Sequence, residues 1–177
     1  MITKAELLDV GEVKRYHATD VTPETLAHHM WGVAIICLVV WPDRHNLLKA
    51  ALLHDAHERI VGDVPSPAKL LSSDFKRAYE TLEAMVDGDI RRVLGTDIFP
   101  ALDDQDQIRL RAADIGHLVL YSYRDMLTGN KLAKKTYEKG RQYFNSLLHR
   151  EGELLSPLAE YFDSRFFYLR DTYEPAR

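Results

Sequence analysis

The chain is expected to be all-α and to form one globular domain over residues 1–177. Three observations carry that expectation. Apolar residues recur at i, i+3, i+4 and i+7 through several long stretches, the spacing of one buried helix face. Capping residues precede these stretches, and glycine or proline follows them. No stretch of useful length alternates apolar and polar residues with the two-residue period of a strand, and no internal repeat or low-complexity linker is present.

The first helix is expected to begin at Thr22-Pro23-Glu24, which offers a capping hydroxyl, a proline in the first turn and an acid near the positive helix end. It should run to about Trp41, where Pro42-Asp43 stops it. A second helix covers about His45 to Val61 and ends at Gly62. The stretch from Gly62 to Lys69 holds Pro65 and Pro67, which remove backbone donors and fix φ, so no regular helix is expected there. A third helix starts near Ser72-Ser73-Asp74 and runs to Leu94, with Gly95 as its stop. Asp103 or Asp104 caps a fourth, which extends to about Leu127 and closes at Gly129. A fifth covers about Lys131 to His149, and a last short one begins near Ser156-Pro157. The aromatic run Tyr161, Phe162, Phe166, Phe167, Tyr168 and Tyr173 is expected to pack back on the domain, with a subunit contact as the other reading.

Three of these helices carry the same anomaly. The first has an inward stripe of Leu26, His29, Met30, Val33, Cys37 and Val40. The second reads Leu47, Leu48, Ala51, His54, Asp55, Glu58 and Val61, and the fourth reads Leu110, Ala113, Asp114, His117, Leu118 and Tyr121. A carboxylate that faces a core costs several kcal/mol or suffers a large pKa shift unless something compensates it. Two imidazoles and two carboxylates that converge from three helices point to a divalent metal ion as the compensator. A lone helical histidine is commonly a satisfied core or surface residue, and an adjacent His-Asp is a common dipeptide. The joint occurrence is what carries the signal. His28, His57 and His117 are decoys: His57 lies off the stripe and is expected near the ligands or in solvent, and His117 is expected to donate to a ligand carboxylate.

Imidazole and carboxylate ligands suit Mn, Fe, Co, Ni or Zn better than calcium. Such an ion lowers the pKa of a bound water and neutralises charge on a phosphoryl group. Glu58 lies one turn beyond His54-Asp55 and reaches the same water, which suits general acid/base work.

Composition excludes several other classes. The 46% hydrophobic and 28% charged fractions are those of a soluble globular protein. A net charge of −4 argues against a nucleic-acid polymer as partner. The single cysteine, Cys37, sits in an apolar run, excludes an intrachain disulfide or a zinc finger, and is consistent with a reducing compartment. Residues 1–13 lack a signal-type apolar segment, and the run from Val33 to Trp41 is too short to span a bilayer, so no membrane contact is expected. His54-Asp55-Ala56-His57-Glu58 is not the zincin arrangement, and no glycine-rich phosphate loop is present.

A family resemblance adds to this reading. Arg15-Tyr16-His17, then Ala27 to Ala34 with its His28-His29 pair, then Leu53 to Lys69 with His54-Asp55, Glu58, Gly62-Asp63 and Pro65-x-Pro67-x-Lys69, resembles the HD-domain phosphohydrolases. Within them the chain is similar to the small bacterial deoxynucleoside 5′-nucleotidases and to the phage-type deoxynucleotide triphosphohydrolases, some of which remove dATP. The resemblance covers roughly residues 13 to 125 and implies an HD-type helical bundle. It also implies metal ligands at His29, His54, Asp55 and Asp114, holding one divalent ion (Co, Mn, Zn or Mg), with catalytic roles for Asp55 and Glu58. It places Arg15 and Lys69 on phosphate, Asp63 on the sugar, and Tyr16 and Pro67 on the sugar and base. Many relatives have tryptophan where this chain has Tyr16, and an acid where it has His28.

The expected function is hydrolysis of a small-molecule deoxynucleotide, with activated water attacking the α-phosphorus. The leading expectation is a dATP triphosphohydrolase that releases triphosphate; the alternative is a dNMP 5′-nucleotidase that releases orthophosphate. A non-catalytic nucleotide-binding regulatory domain and a dinucleotide phosphodiesterase are the readings from other classes. Lys76, Arg77, Arg109 and Arg111 are candidate cations for a longer phosphate chain. A homo-oligomer, dimer or higher, and a cytoplasmic location (host cytoplasm if phage-encoded) complete the expectation.

Overall fold

The structure is a computed structural model that describes residues 3–16, 19–69 and 71–173, with Ser66 and Pro67 described by backbone only. A 3₁₀ turn (Lys4–Glu6) and the one-turn helix α1 (Leu7–Val10) lead into strand β1 (Lys14–Arg15). β1 pairs antiparallel with β2 (Glu24–Thr25), Lys14 opposite Thr25 and Arg15 opposite Glu24. The long helices follow: α2 (Leu26–Val40), α3 (His45–Ala51), the single turns α4 (Glu58–Val61) and α5 (Ser66–Lys69), then α6 (Ser73–Leu94) and α7 (Asp104–Leu127). Beyond a 3₁₀ turn at Lys131–Ala133 come α8 (Lys134–Glu151), another 3₁₀ turn at Gly152–Leu155, and α9 (Ser156–Tyr173).

Most elements lie where their signals place them. Ser72 caps α6 by accepting from the Asp74 and Phe75 N–H groups at 3.2 and 3.4 Å, and Gly95 closes that helix at φ 87°. Asp103 caps α7 by accepting from Asp106 N–H at 2.7 Å. Five expectations need correction. The small β1–β2 ladder is too short to show any period, and it takes Glu24 out of the helix. α2 therefore starts at Leu26, capped by Thr25, whose hydroxyl accepts from His28 N–H at 3.2 Å. Thr22 instead bonds Asp125 through its N–H and hydroxyl.

The second helix is also not continuous. Residues 52–57 form tight turns, with Leu53 N–H on Ala50 O, Ala56 N–H on Leu53 O and Glu58 N–H on Asp55 O. The reason is local: the His54 ring Nδ1 lies 2.8 Å from Ala51 O, the carbonyl a continuing helix would offer to Asp55 N–H. The Gly62–Lys69 stretch contains one helical turn, α5, with Pro67 in its first turn, where a missing N–H costs nothing. The fifth helix opens with a 3₁₀ turn capped by the Asn130 side chain and runs on to Glu151. The last helix runs 18 residues rather than being short.

α7 packs against α2, α3, α8 and α9. One apolar cluster gathers Val33, Ile36, Cys37, Leu47, Ala113, Val119, Phe144, Leu147 and Phe162; a second gathers Val10, Leu26, Met30, Ala56, Val86, Ile90 and Phe99. On α2 His29 has Leu26 and Met30 of the second set beside it and Val33 of the first one turn on, and His54-Asp55 falls between Ala51 of the first and Ala56 of the second. The polar quartet is thus set where the two cores adjoin. Of the C-terminal aromatics, Phe162 is buried against Phe144 with ring centroids 4.5 Å apart, whereas Phe167 and Tyr168 stay exposed. Among the described residues no helix is long and apolar enough to cross a membrane.

Candidate metal centre

α2 supplies His29, the turn after α3 supplies His54 and Asp55, and α7 supplies Asp114; one ligand atom of each lies within 4.8 Å of the others. His29 Nε2 stands 3.3 Å from His54 Nε2, 3.5 Å from Asp55 Oδ2 and 3.1 Å from Asp114 Oδ1. His54 Nε2 is 3.4 Å from Asp55 Oδ2 and 3.9 Å from Asp114 Oδ1. Ligands at ~2.0–2.2 Å from one ion sit about this far apart. Because His54 Nδ1 donates to Ala51 O, its Nε2 keeps the lone pair that faces the cluster. The donor set and its tautomer fit a divalent ion.

The electrostatics agree. Burial works against ionised Asp55, but His54 and Arg15 overcome it and hold its carboxyl below the usual range. Burial works against ionised Asp114 as well, but the hydrogen bond with the His29 imidazole overcomes it and holds the carboxyl well below that range. It retains 36% side-chain exposure, an open side on which solvent or a substrate oxygen can approach. Glu58, on α4, is buried, and that burial together with the Asp55 charge lifts its carboxyl to about 7, with Arg15 opposing. Its pKa sits near neutrality, where proton transfer in both directions is efficient.

Arg15 enters from β1. Its Nη1 lies 3.0 Å from Asp55 Oδ2 and its Nε 3.6 Å from Glu58 Oε2, yet both nitrogens are buried without a hydrogen bond. Tyr16 follows at φ 63°, a left-handed conformation that costs a non-glycine residue ~1–3 kcal/mol. Its N–H donates to Asp63 Oδ2 at 2.8 Å, and its ring lies 5.9 Å from that of Tyr121. Its hydroxyl is buried without a hydrogen-bond partner.

Arg15 and Tyr16 therefore adjoin the cluster, and Asp63 tethers the backbone between them and the α4–α5 turn. Lys69 does not join them: its Nζ pairs with Glu83 Oε1 at 2.9 Å and lies 4.2 Å from the centre of the Tyr79 ring. The Pro67 side chain and His17 lie outside the described residues. Lys76, Arg77 and Arg109 pair with Glu80, Asp74 and Asp106, and Arg111 meets the Tyr143 hydroxyl. His57 is buried rather than solvated, with Nδ1 3.2 Å from Asp87 Oδ1 and Nε2 3.3 Å from Glu83 Oε1. His117 meets His29 Nδ1 at 3.1 Å and Glu24 Oε1 at 3.9 Å rather than a carboxylate of the quartet.

Glu24 is more than the helix-start acid its place after Thr22-Pro23 suggests. It is buried, with Oε2 2.6 Å from His28 Nδ1 and Oε1 3.5 Å from His29 Nδ1. The i, i+4 spacing of Glu24 and His28 was a signal available in the sequence; no local pattern pairs Asp87 or Glu83 with His57.

A helical bundle carrying a His, His-Asp, Asp quartet across three elements defines an HD-domain protein. The chain belongs to the YfbR-like 5′-deoxynucleotidase family, whose model matches residues 5–154. It is similar to the 5′-deoxynucleotidase HDDC2 of Homo sapiens and of Mus musculus, 35% identical in each case over 85 residues, or 43% of this chain. That match spans 41% of the human protein and 42% of the mouse one. Among solved structures, the PH0347 protein from Pyrococcus horikoshii OT3 is similar at a TM-score of 0.67 and 25% identity, over 93% of this chain and 98% of that one. The cyanophage S-2L HD phosphohydrolase DatZ, bound to dA and one catalytic Zn²⁺ ion, shares the fold at a TM-score of 0.64 and 20% identity, with 99% of each chain covered.

Proposed function

We propose that the chain is a metal-dependent 5′-deoxynucleotidase that hydrolyses a deoxynucleoside monophosphate to the deoxynucleoside and orthophosphate. The observation that carries this is the quartet with the Arg15 guanidinium set against both its Asp55 and Glu58. Membership of the 5′-deoxynucleotidase family and the HDDC2 similarity support the monophosphate substrate over the dATP triphosphohydrolase first expected from the sequence. Charge points the same way. Lys69, Lys76, Arg77 and Arg109 are each paired with an acid away from the quartet, which leaves Arg15 as the cation against its carboxylates among the described residues. One guanidinium fork suits one phosphoryl group better than a triphosphate.

His29, His54, Asp55 and Asp114 would hold the ion, and two imidazoles with two carboxylates favour Zn, Co or Mn over Mg. When bound, such an ion supplies a water of lowered pKa and neutralises charge on the phosphoryl oxygens. Glu58 takes a proton from the attacking water and returns one to the departing 5′-oxygen. Arg15 exchanges its contacts with Asp55 and Glu58 for the phosphoryl oxygens. Asp63 accepts the 3′-hydroxyl and crowds out a 2′-hydroxyl, while the Tyr16 ring stacks on the base.

The test is a product assay on metal-stripped protein resupplied with Zn²⁺, Co²⁺, Mn²⁺ or Mg²⁺. Substrates are dNMPs, dNTPs and their ribo-counterparts. Orthophosphate from dNMPs, with ribonucleotides turned over poorly, is the expected result. Triphosphate from a dNTP would restore the triphosphohydrolase reading, and binding without any product would point to a regulatory domain. Asp55→Ala should abolish turnover while leaving the helical circular-dichroism signal intact.

A further inference from the structure

Glu24, His28 and His117 form a second group of ligand type, with one donor atom of each within 4.8 Å of the others. They come from β2, α2 and α7, so the fold rather than one flexible segment brings them together. Glu24 is only 4% exposed, yet its Oε1 is buried without a hydrogen-bond partner. His28 Nδ1 satisfies Oε2 at 2.6 Å; Oε1 faces His29 Nδ1 at 3.5 Å and His117 Nδ1 at 3.9 Å. An ion pair with His28 therefore accounts for one carboxylate oxygen and leaves the other.

The orientation of His117 is fixed from behind. Gly32 on α2 is so close that a Cβ there would lie 2.2 Å from His117 Nε2 and 2.3 Å from its Cδ2. That edge of the ring lies against the α2 backbone, and Nδ1 is the nitrogen left to face Glu24. The buried ring of His117 and the buried carboxylate of Glu24 form the floor, and His28, with 43% side-chain exposure, forms the entrance from solvent.

We propose that Glu24, His28 and His117 bind a second divalent transition-metal ion of the Zn²⁺ or Co²⁺ class, separate from the ion of the quartet. Two imidazole nitrogens and one carboxylate oxygen are the ligand types such ions select over Mg²⁺ and Ca²⁺. The two sites meet at His29, which turns Nε2 to the quartet and Nδ1 to Glu24 and His117. With His117 Nδ1 and Glu24 Oε1 on the second ion, that carboxylate oxygen still stands 3.5 Å from His29 Nδ1 and accepts its N–H. That carboxylate–imidazole link fixes the ring that serves the first ion. The second ion is thus a positioning device for His29, not a participant in phosphoryl chemistry.

The experiment is a titration of the full, metal-stripped chain with Co²⁺, read by calorimetry and by visible absorption. The expected result is two ions per chain, the second bound more weakly because it has three protein ligands. His28→Ala, at the exposed entrance, should weaken the second site by ~10–100-fold and leave the first. Asp114→Ala should remove the first and leave the second, and Glu24→Gln should behave as His28→Ala does. One ion per chain in the wild type, or two ions retained in both His28→Ala and Glu24→Gln, would overturn the proposal. A failure of the nucleotidase reading appears in the product assay instead, and does not move these stoichiometries.

Discussion

Arg15 and Glu58 form a small balance of charge inside the fold. The guanidinium faces two carboxylates, one of which is lifted to about 7 by burial and by its neighbour Asp55. Glu58→Gln keeps the shape and removes the proton acceptor, so kcat should fall ~10²–10⁴-fold while calorimetry still finds the quartet ion. Arg15→Ala removes the charged fork and should raise KM for a deoxynucleoside monophosphate ~10–100-fold, measured by steady-state kinetics. Tyr16 illustrates how backbone strain is held at such a site. Its left-handed φ is paid for in part by the N–H bond to Asp63, so Asp63→Ala should cost about 1–2 kcal/mol in urea unfolding as well as raising KM.

Between elements, the coupling runs from the turn before α4 to α6 through His57. Burial lowers the pKa of this imidazole, but hydrogen bonds with Asp87 and Glu83 win and raise it from 6.5 to about 10. The folded state therefore holds the proton more tightly than the unfolded chain. Its stabilisation is whole below pH 6.5 and is lost as the pH climbs through about 10. Thermal melts across that window should show a steady decline in the wild type and a flatter one in Asp87→Asn. α7 meets α9 with no room to spare at Gly116, where a Cβ would lie 2.4 Å from Phe162 Cζ. Gly116→Ala should cost ~1–3 kcal/mol, read by chemical denaturation, because the buried Phe162 and Phe144 rings must shift.

At the scale of the molecule, the quartet ties α2, the turn after α3 and α7 into one unit, and two apolar cores adjoin at that point. An ion that binds only the folded chain stabilises it by ~2.7 kcal/mol at a hundredfold excess over Kd. Chelation should lower the thermal midpoint by about 5–10 °C, and resupplied Zn²⁺ or Co²⁺ should restore it. The homo-oligomer expected from the resemblance is tested by light scattering on the same samples, where a mass above 20.4 kDa would support it.

The all-α class, α6, α7 and the His29, His54, Asp55, Asp114 set were legible in the residues. Helix periodicity and caps act over a few positions, and a polar residue on an apolar stripe is conspicuous by itself. The start of α2, the break at residues 52–57 and the length of α9 were less legible, because each turns on competition for a backbone group or on packing by distant chain. Ala51 O goes to His54 instead of Asp55, and no periodicity reports that exchange. The resting place of Lys69 on Glu83, the burial of His57 between two α6 acids, and the meeting of Glu24 with His117 belong to the same kind. Ion pairs form between residues tens of positions apart, and their geometry is set by how helices cross. The sequence by itself determined which residues are costly to bury; only the tertiary structure decided which of them compensate one another, because that depends on distances of a few ångströms across the core.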